Sequence, residues 1–207
     1  MTTYAMAIDL AHCVGCHTCA VACKLNNNLP DGLWYNRVLT EGGAYLDAAA
    51  GTYPNDLRRT FWPRSCQHCE VPACAAVCPV EAIVKREDGI VMQDNELCIG
   101  CKLCITACPY EARVFNETDP AYPVDFKFGD WDAPEHLALK VEKCTFCANR
   151  IDRGDVPACM ELCPGRARYW GDIDDPASEI NAYLEGRDYT KLLEDKGTGP
   201  NVYYVTK

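Results

Sequence analysis

Along the 207 residues, apolar and polar positions group into short runs, and no apolar run approaches the roughly 20 residues that span a bilayer. The clearest pattern lies between Cys78 and Cys98. There PVEAIVKREDGIVMQDNEL sets two short apolar runs either side of Asp88-Gly89, which predicts strand, turn, strand. Asp175-Pro176 resembles an N-cap followed by Pro at the first helical position. It predicts a helix of roughly 176–186 that ends at Gly186. AYLDAAAG (44–51) predicts one or two helical turns within a long connection, residues 24–65. A second connection, residues 110–143, carries Pro120, Pro123 and Pro134, which argue against long regular elements. The tail GTGPNVYYVTK is turn-rich and then extended, lying on the body or on a partner.

Cysteine changes this picture. Sixteen cysteines fall into four groups of four with none left over. Group one is Cys13, Cys16, Cys19 and Cys23; group two is Cys66, Cys69, Cys74 and Cys78. Group three is Cys98, Cys101, Cys104 and Cys108; group four is Cys144, Cys147, Cys159 and Cys163. Groups one and three have the C-x2-C-x2-C-x3-C run that holds a [4Fe–4S] cluster in bacterial ferredoxins. Three thiolates from one tight loop can cap three irons of a cubane, and Gly15 and Gly100 sit where such a loop turns sharply. The third and fourth Cys are always four apart, which puts them on one helical face. The third is expected near a helix N-terminus, where free N–H groups favour an anion. Pro79, Pro109 and Pro164 follow the fourth Cys and help end the helix; group one has Lys24 there.

Other uses of so many thiols fit less well. Disulfides want an oxidising compartment, and the N-terminus MTTYAMAIDLAHC has neither a basic n-region nor an apolar h-region. On its own sequence the chain is expected in the cytoplasm. Structural zinc uses two separated pairs, which group four alone resembles. The formal charge is −10, from 20 Lys+Arg against 30 Asp+Glu, a poor balance for nucleic acid or an anionic membrane. Residues 140–168 run the other way at net +2, through Lys140, Lys143, Arg150, Arg153, Arg166 and Arg168. That local charge either compensates the clusters, or raises potentials or forms a docking patch. His12, His17, His68 and His136 are superfluous as ligands beside sixteen thiolates. No G-x-G-x-x-G, Walker A, H-E-x-x-H or G-x-S-x-G is present, and no residue pair reads as a catalytic site.

In two-cluster ferredoxins the fourth Cys of each run ligates the other run's cluster, so groups must pair. The short strand–turn–strand links groups two and three, leaving one and four to complete each other. The alternative joins one with two and three with four. The first pairing gives four ligand sets: Cys13, Cys16, Cys19 with Cys163; Cys144, Cys147, Cys159 with Cys23; Cys66, Cys69, Cys74 with Cys108; and Cys98, Cys101, Cys104 with Cys78. The expected fold class is α+β: two bacterial 2[4Fe–4S] ferredoxin-like modules, one nested inside the other, with long irregular connections. Residues 1–30 with 140–175 form the outer module, 60–117 the inner, 31–59 and 118–139 the connections, and 176–207 a C-terminal helix and extended tail. Trp34, Tyr35, Tyr45, Tyr53, Phe61 and Trp62 either shield clusters from water or form a partner surface.

The four groups in this order resemble the iron–sulfur subunit family of dimethyl sulfoxide reductase and polysulfide reductase. The likeness rests on CVGCHTCAVACK, CQHCEVPACAAVCPVEAI, CIGCKLCITACPYEAR, KCTFCANRIDRGDVPACMELCPGRARYWGDIDDPASEI and GTGPNVYY. It implies four [4Fe–4S] clusters, the nested pairing, and a non-catalytic subunit passing electrons. The partners implied are a large molybdenum or tungsten bis-pterin catalytic subunit and a membrane quinone-reactive subunit or soluble carrier. It also admits a periplasmic location, by co-export with a twin-arginine-bearing partner. Two rival expectations remain: a free multi-cluster ferredoxin, and a relay subunit of a formate dehydrogenase or hydrogenase.

Overall fold

A computed structural model describes residues 2–41 and 47–206. In chain order its strands and helices are β1 (Tyr4–Asp9), α1 (Thr18–Asn26), β2 (Arg37–Thr40), β3 (Phe61–Arg64), α2 (Ala73–Ala76), β4 (Ile83–Lys85), β5 (Val91–Gln93), α3 (Leu103–Ala107), β6 (Arg113–Asn116), β7 (Lys140–Lys143), α4 (Ala148–Ile151), α5 (Ala158–Glu161), β8 (Arg168–Asp172), α6 (Glu179–Leu184), β9 (Tyr189–Lys191) and β10 (Val202–Val205). A single turn of 3-10 helix, Glu194–Lys196, precedes β10.

The largest sheet has the order β8-β1-β10-β9. β1 runs antiparallel to β8, with Met6 opposite Trp170, and parallel to β10, with Met6 opposite Val202. Side chains alternate across a strand, so this sheet feeds two cores. Met6, Ile8, Val202 and Tyr204 join Ile90, Phe146 and Trp170 on one face. Ala5, Ala7, Tyr203 and Val205 pack with Ile180 and Leu184 of α6 on the other. The tail therefore belongs to the body: β10 is an inner strand and Tyr204 is fully buried.

The remaining sheets are two-stranded: β2 with β3, β4 with β5, and β6 with β7. β4 and β5 turn where Asp88-Gly89 predicts. Gly89 has φ +82°, and Asp88 Oδ1 accepts the Ile90 N–H at 3.1 Å. The connections are less irregular than expected. β2 lies within 31–59 and returns along β3, while β6 returns along β7. Each is a strand too short for a periodic signal of its own, and pairing stabilises it. Tyr35 is buried, the Trp62 ring packs 5.3 Å from that of Tyr204, and Tyr53 is 81% exposed. Within AYLDAAAG, residues 44–46 lie outside the described residues. Residues 47–51 form no helix, and Ala50 instead bridges Arg58.

The C-terminal helix starts later than Asp175-Pro176 predicts. Asp175 accepts hydrogen bonds from the Ala177 and Ser178 N–H groups, at 2.9 and 3.0 Å, which folds 175–178 into a turn. Ser178 is the true N-cap, its Oγ accepting the Asn181 N–H at 3.4 Å. Gly186, at φ +70°, follows the helix end as expected. Among the described residues, no helix is long and apolar enough to cross a membrane.

Candidate iron–sulfur sites

Each third cysteine occupies the second position of a helix: Cys19 in α1, Cys74 in α2, Cys104 in α3 and Cys159 in α5. The fourth cysteine follows one turn on. After groups two, three and four the helix stops before the proline, whereas Lys24 lets α1 run on to Asn26. The loops come in two kinds. Groups one and three share a left-handed Gly before the second Cys and a left-handed residue after it: Gly15 with His17, and Gly100 with Lys102. A Cβ on Gly15 would lie 2.4 Å from the Phe61 ring, and one on Gly100 would lie 2.2 Å from the Leu139 carbonyl oxygen. In groups two and four a proline, Pro72 or Pro157, stands at the N-cap of the helix. The repeated strings EVPAC and DVPAC carry that likeness in the sequence.

The turn after the fourth cysteine also repeats. Glu81, Glu111 and Arg166 stand three residues beyond Cys78, Cys108 and Cys163, all with positive φ. Their N–H groups donate back to the cysteine carbonyls at 3.1–3.4 Å.

Helix packing brings distant runs together, with α1 against α5 and α2 against α3. One cavity is lined by Cys13, Cys16, Cys19 and Cys163, together with Gly15, His17 and Arg168. A second is lined by Cys23, Cys144, Cys147 and Cys159. A third is lined by Cys78, Cys98, Cys101 and Cys104. Cys69 has Cys66, Cys74 and Cys108 as its thiol neighbours. The sixteen thiols therefore gather four by four, each set drawn from two runs. Cys66 also approaches Cys144, so the sets of groups two and four adjoin.

Burial is the main force on the most enclosed thiols. It pushes Cys69 and Cys147 up to about 12, with neighbouring thiols adding to the rise. Cys23 and Cys144 are pushed up as well, first by burial and then by the thiols around them. Burial keeps these thiols protonated, so thiolates this crowded would need a cation among them, which metal ligation would supply. Among the described residues no group of three or more His, Cys, Asp or Glu side chains converges to hold one ion. The cysteines ring their cavities instead, which suits a polynuclear cluster. Donors are already turned toward sulfur. Phe146 N–H points at Cys144 Sγ and Ala167 N–H at Cys163 Sγ, both at 3.4 Å, and Asn27 Nδ2 at Cys23 Sγ at 3.5 Å.

His12 and His17 line the cavity of Cys13, Cys16, Cys19 and Cys163, while the other two histidines are engaged elsewhere. His68 is buried, stacks on Phe146 at 3.6 Å and accepts the Val91 N–H at Nδ1; burial keeps it neutral. His136 is buried between Glu142 Oε2 at 2.7 Å and the Asn27 carbonyl at 2.9 Å, and Tyr35 donates to the same carboxylate oxygen. Burial opposes charge on His136, but Glu142 outweighs it and its pKa rises. Sequence reasoning missed this network and the burial of Arg113. Nothing in composition marks either, although CPYEAR and CPGRAR place Arg113 and Arg168 identically after a cysteine run.

The profile of the 4Fe-4S dicluster domain matches residues 57–124 and 130–173. Three relatives align along almost the whole chain. A Halobacterium salinarum protein that carries the name of a dimethyl sulfoxide reductase iron–sulfur subunit is 46% identical, over 99% of this chain and 79% of its own length. A subunit of tetrathionate reductase from Salmonella typhimurium is 40% identical, over 98% and 72%. A polysulfide reductase subunit from Wolinella succinogenes is 36% identical, over 98% and 93%. With its cysteines gathered as they are and likeness running end to end, the chain belongs to the iron–sulfur subunit family of dimethyl sulfoxide reductase and polysulfide reductase.

Proposed function

We propose that the chain binds four [4Fe–4S] clusters and relays electrons between a molybdopterin catalytic subunit and a quinone-reactive or soluble partner. The observation that carries this reading is the convergence of sixteen thiols into four sets of four. The proposed ligands are Cys13, Cys16, Cys19 and Cys163 for cluster 1, and Cys23, Cys144, Cys147 and Cys159 for cluster 2. Cys66, Cys69, Cys74 and Cys108 would hold cluster 3, and Cys78, Cys98, Cys101 and Cys104 cluster 4. Clusters 1 and 2 then belong to an outer ferredoxin-like module and clusters 3 and 4 to one inserted within it. The pairing of β1 with β8, and of α1 with α5, supports that division.

Bound clusters supply one-electron transfer, and the protein holds, insulates and tunes them. Burial of Cys23, Cys66, Cys104 and Cys147 keeps water from the sulfurs. The approach of Cys66 to Cys144 supports passage between the modules. Cys16 and Cys101 are exposed and flanked by exposed apolar side chains, Val14 and Val21 in one case and Ile99 and Leu103 in the other. Those two surfaces suit the docking of redox partners. No catalytic residue is proposed, because substrate chemistry belongs to the partner.

Anaerobic purification from the native host, with iron, zinc and molybdenum or tungsten counted, tests the reading. About sixteen irons per chain with a large metal-bearing partner is the expected result. Sixteen irons without a partner would point to a free ferredoxin, and zinc in place of iron would overturn the redox reading.

A further inference from the structure

Two buried arginines stand at equivalent places, and among the described residues neither makes an ion pair with a carboxylate. Arg168 follows Cys163 by five residues and opens β8; Arg113 follows Cys108 by five and opens β6. Their exposures are 4% and 5%. Arg168 points at sulfur: Nη1 is 3.1 Å from Met6 Sδ and 3.6 Å from Cys159 Sγ, and the residue lines one cavity with Cys19. Nη2 lies 3.5 Å from Asn36 Oδ1. Arg113 donates through Nη2 to Gln93 and lies against Cys104. Its Nε and Nη1 are buried with no partner among the described residues. Buried guanidinium N–H groups need acceptors, and a charge sealed from water needs an opposite charge. The anions that the site offers are the thiolates and sulfides of a bound cluster.

Resting on the cluster reading above, we propose that Arg113 and Arg168 are positioning residues that set reduction potentials, one in each module. Arg168 reaches Cys159 of cluster 2 and Cys19 of cluster 1, so a single cation serves both clusters of the outer module. Arg113 reaches Cys104 of cluster 4. Reduction adds one electron to a cluster already anionic, and a fixed positive charge beside its sulfurs favours that added charge. The group changes neither its protonation nor its bonding. The two-cluster reach of Arg168 also weakens the repulsion between two reduced neighbours, so that both can hold an electron together. The guanidinium fork suits this better than an ammonium, which presents a point charge to one sulfur.

The test is an EPR-monitored redox titration of the full chain with its clusters loaded, comparing wild type with R168Q, R168K, R113Q and R113K. In R168Q, clusters 1 and 2 should become at least tenfold harder to reduce, which is 59 mV for a one-electron step. Cluster 4 should be unmoved. R113Q should move cluster 4 and leave clusters 1 and 2 in place. The lysine variants should recover part of each shift, and R168K should recover it for one cluster more than the other. Unchanged potentials in loaded R168Q or R113Q overturn the proposal. So does loss of iron from the glutamine and lysine variants alike, which would make the arginines structural. A wild-type chain without four titrating clusters defeats the cluster reading itself, before any variant is compared.

Discussion

Replacing Gly100 with alanine separates two costs that the structure keeps apart at another glycine. Gly154 has φ +85° with nothing within 4 Å of an added Cβ, so Gly154→Ala bears only the left-handed strain. That strain is about 1–2 kcal/mol. It is offset by about 0.4–1 kcal/mol because alanine also restricts the unfolded chain. Gly100, at φ +69°, bears the same strain, and its Cβ would meet the Leu139 carbonyl oxygen at 2.2 Å. That oxygen cannot retreat freely. The Leu139 N–H donates to Asn116 at the end of the β6–β7 hairpin, and Leu139 is itself left-handed, at φ +58°. Forcing a methyl into such a contact costs a further ~1–3 kcal/mol. The loop between Cys98 and Cys101 must shift, and with it two proposed ligands of cluster 4. The assay is the denaturant midpoint of the loaded protein, followed by visible absorbance of the clusters, with iron counted after gel filtration. Gly154→Ala should sit within about 1.5 kcal/mol of wild type. Gly100→Ala should fall below it by the overpacking cost and lose about four irons per chain. Equal midpoints and full iron in both variants would refute the packing argument.

Cys23→Ser should remove the EPR signal of the cluster held by Cys144, Cys147 and Cys159; loss of the Cys66, Cys69, Cys74 signal instead would show that groups one and two pair. His136 has a raised pKa in the fold, so its contribution to stability is full below about pH 6.5, its unfolded value, and is lost as pH rises through the folded value. The stability difference between wild type and His136→Gln should therefore be flat in mild acid and shrink toward alkaline pH; a gap that widens with pH would contradict the Glu142 pairing. Ser178→Ala should cost about 1 kcal/mol by loss of the α6 N-cap, whereas Asp175→Ala should cost less; the reverse order in thermal melts would restore Asp175 as the cap.

The cysteine chemistry was legible because its signal is local. Spacings of two and three residues show which thiols share a loop, and helices formed with each third cysteine in the second position, although of the fourth cysteines only Cys23 lies within its helix and Cys78, Cys108 and Cys163 follow theirs. The strand–turn–strand around Asp88-Gly89 was legible for the same reason, since turn chemistry is written in adjacent residues. What escaped was stabilised from far away. β2 and β3 are four residues each and exist because Val38 and Leu39 find Pro63 and Trp62 across a gap of more than twenty residues. β10 reads only as an extended tail until β1, almost two hundred residues earlier, pairs with it. Asp175 misled because Asp, Pro and Ser all favour helix starts and turns alike, and only the observed hydrogen bonds separate the two uses.

The same contrast between local and distant bonding explains why the tail matters to the redox core. Tyr204 carries its hydroxyl across to the Pro63 carbonyl at 2.9 Å, and Asn201 Nδ2 donates to the His68 carbonyl at 3.0 Å. Glu70 and Val71, between the second and third cysteines of group two, donate their N–H groups to Gly199 and Thr198 at 2.7 and 2.9 Å. Residues 198–204 thus clamp the loop that carries Cys66 and Cys69, while β10 is locked into the sheet whose first strand leads to Cys13. In the proposed two-module arrangement each pair of runs could gather its own thiols, but fixed separation between the pairs needs an element bonded to both. β10 and the turn before it make those bonds. Electron transfer falls steeply with distance, so in the proposed relay a tail without a single cysteine would help set the rate at which the two halves exchange electrons.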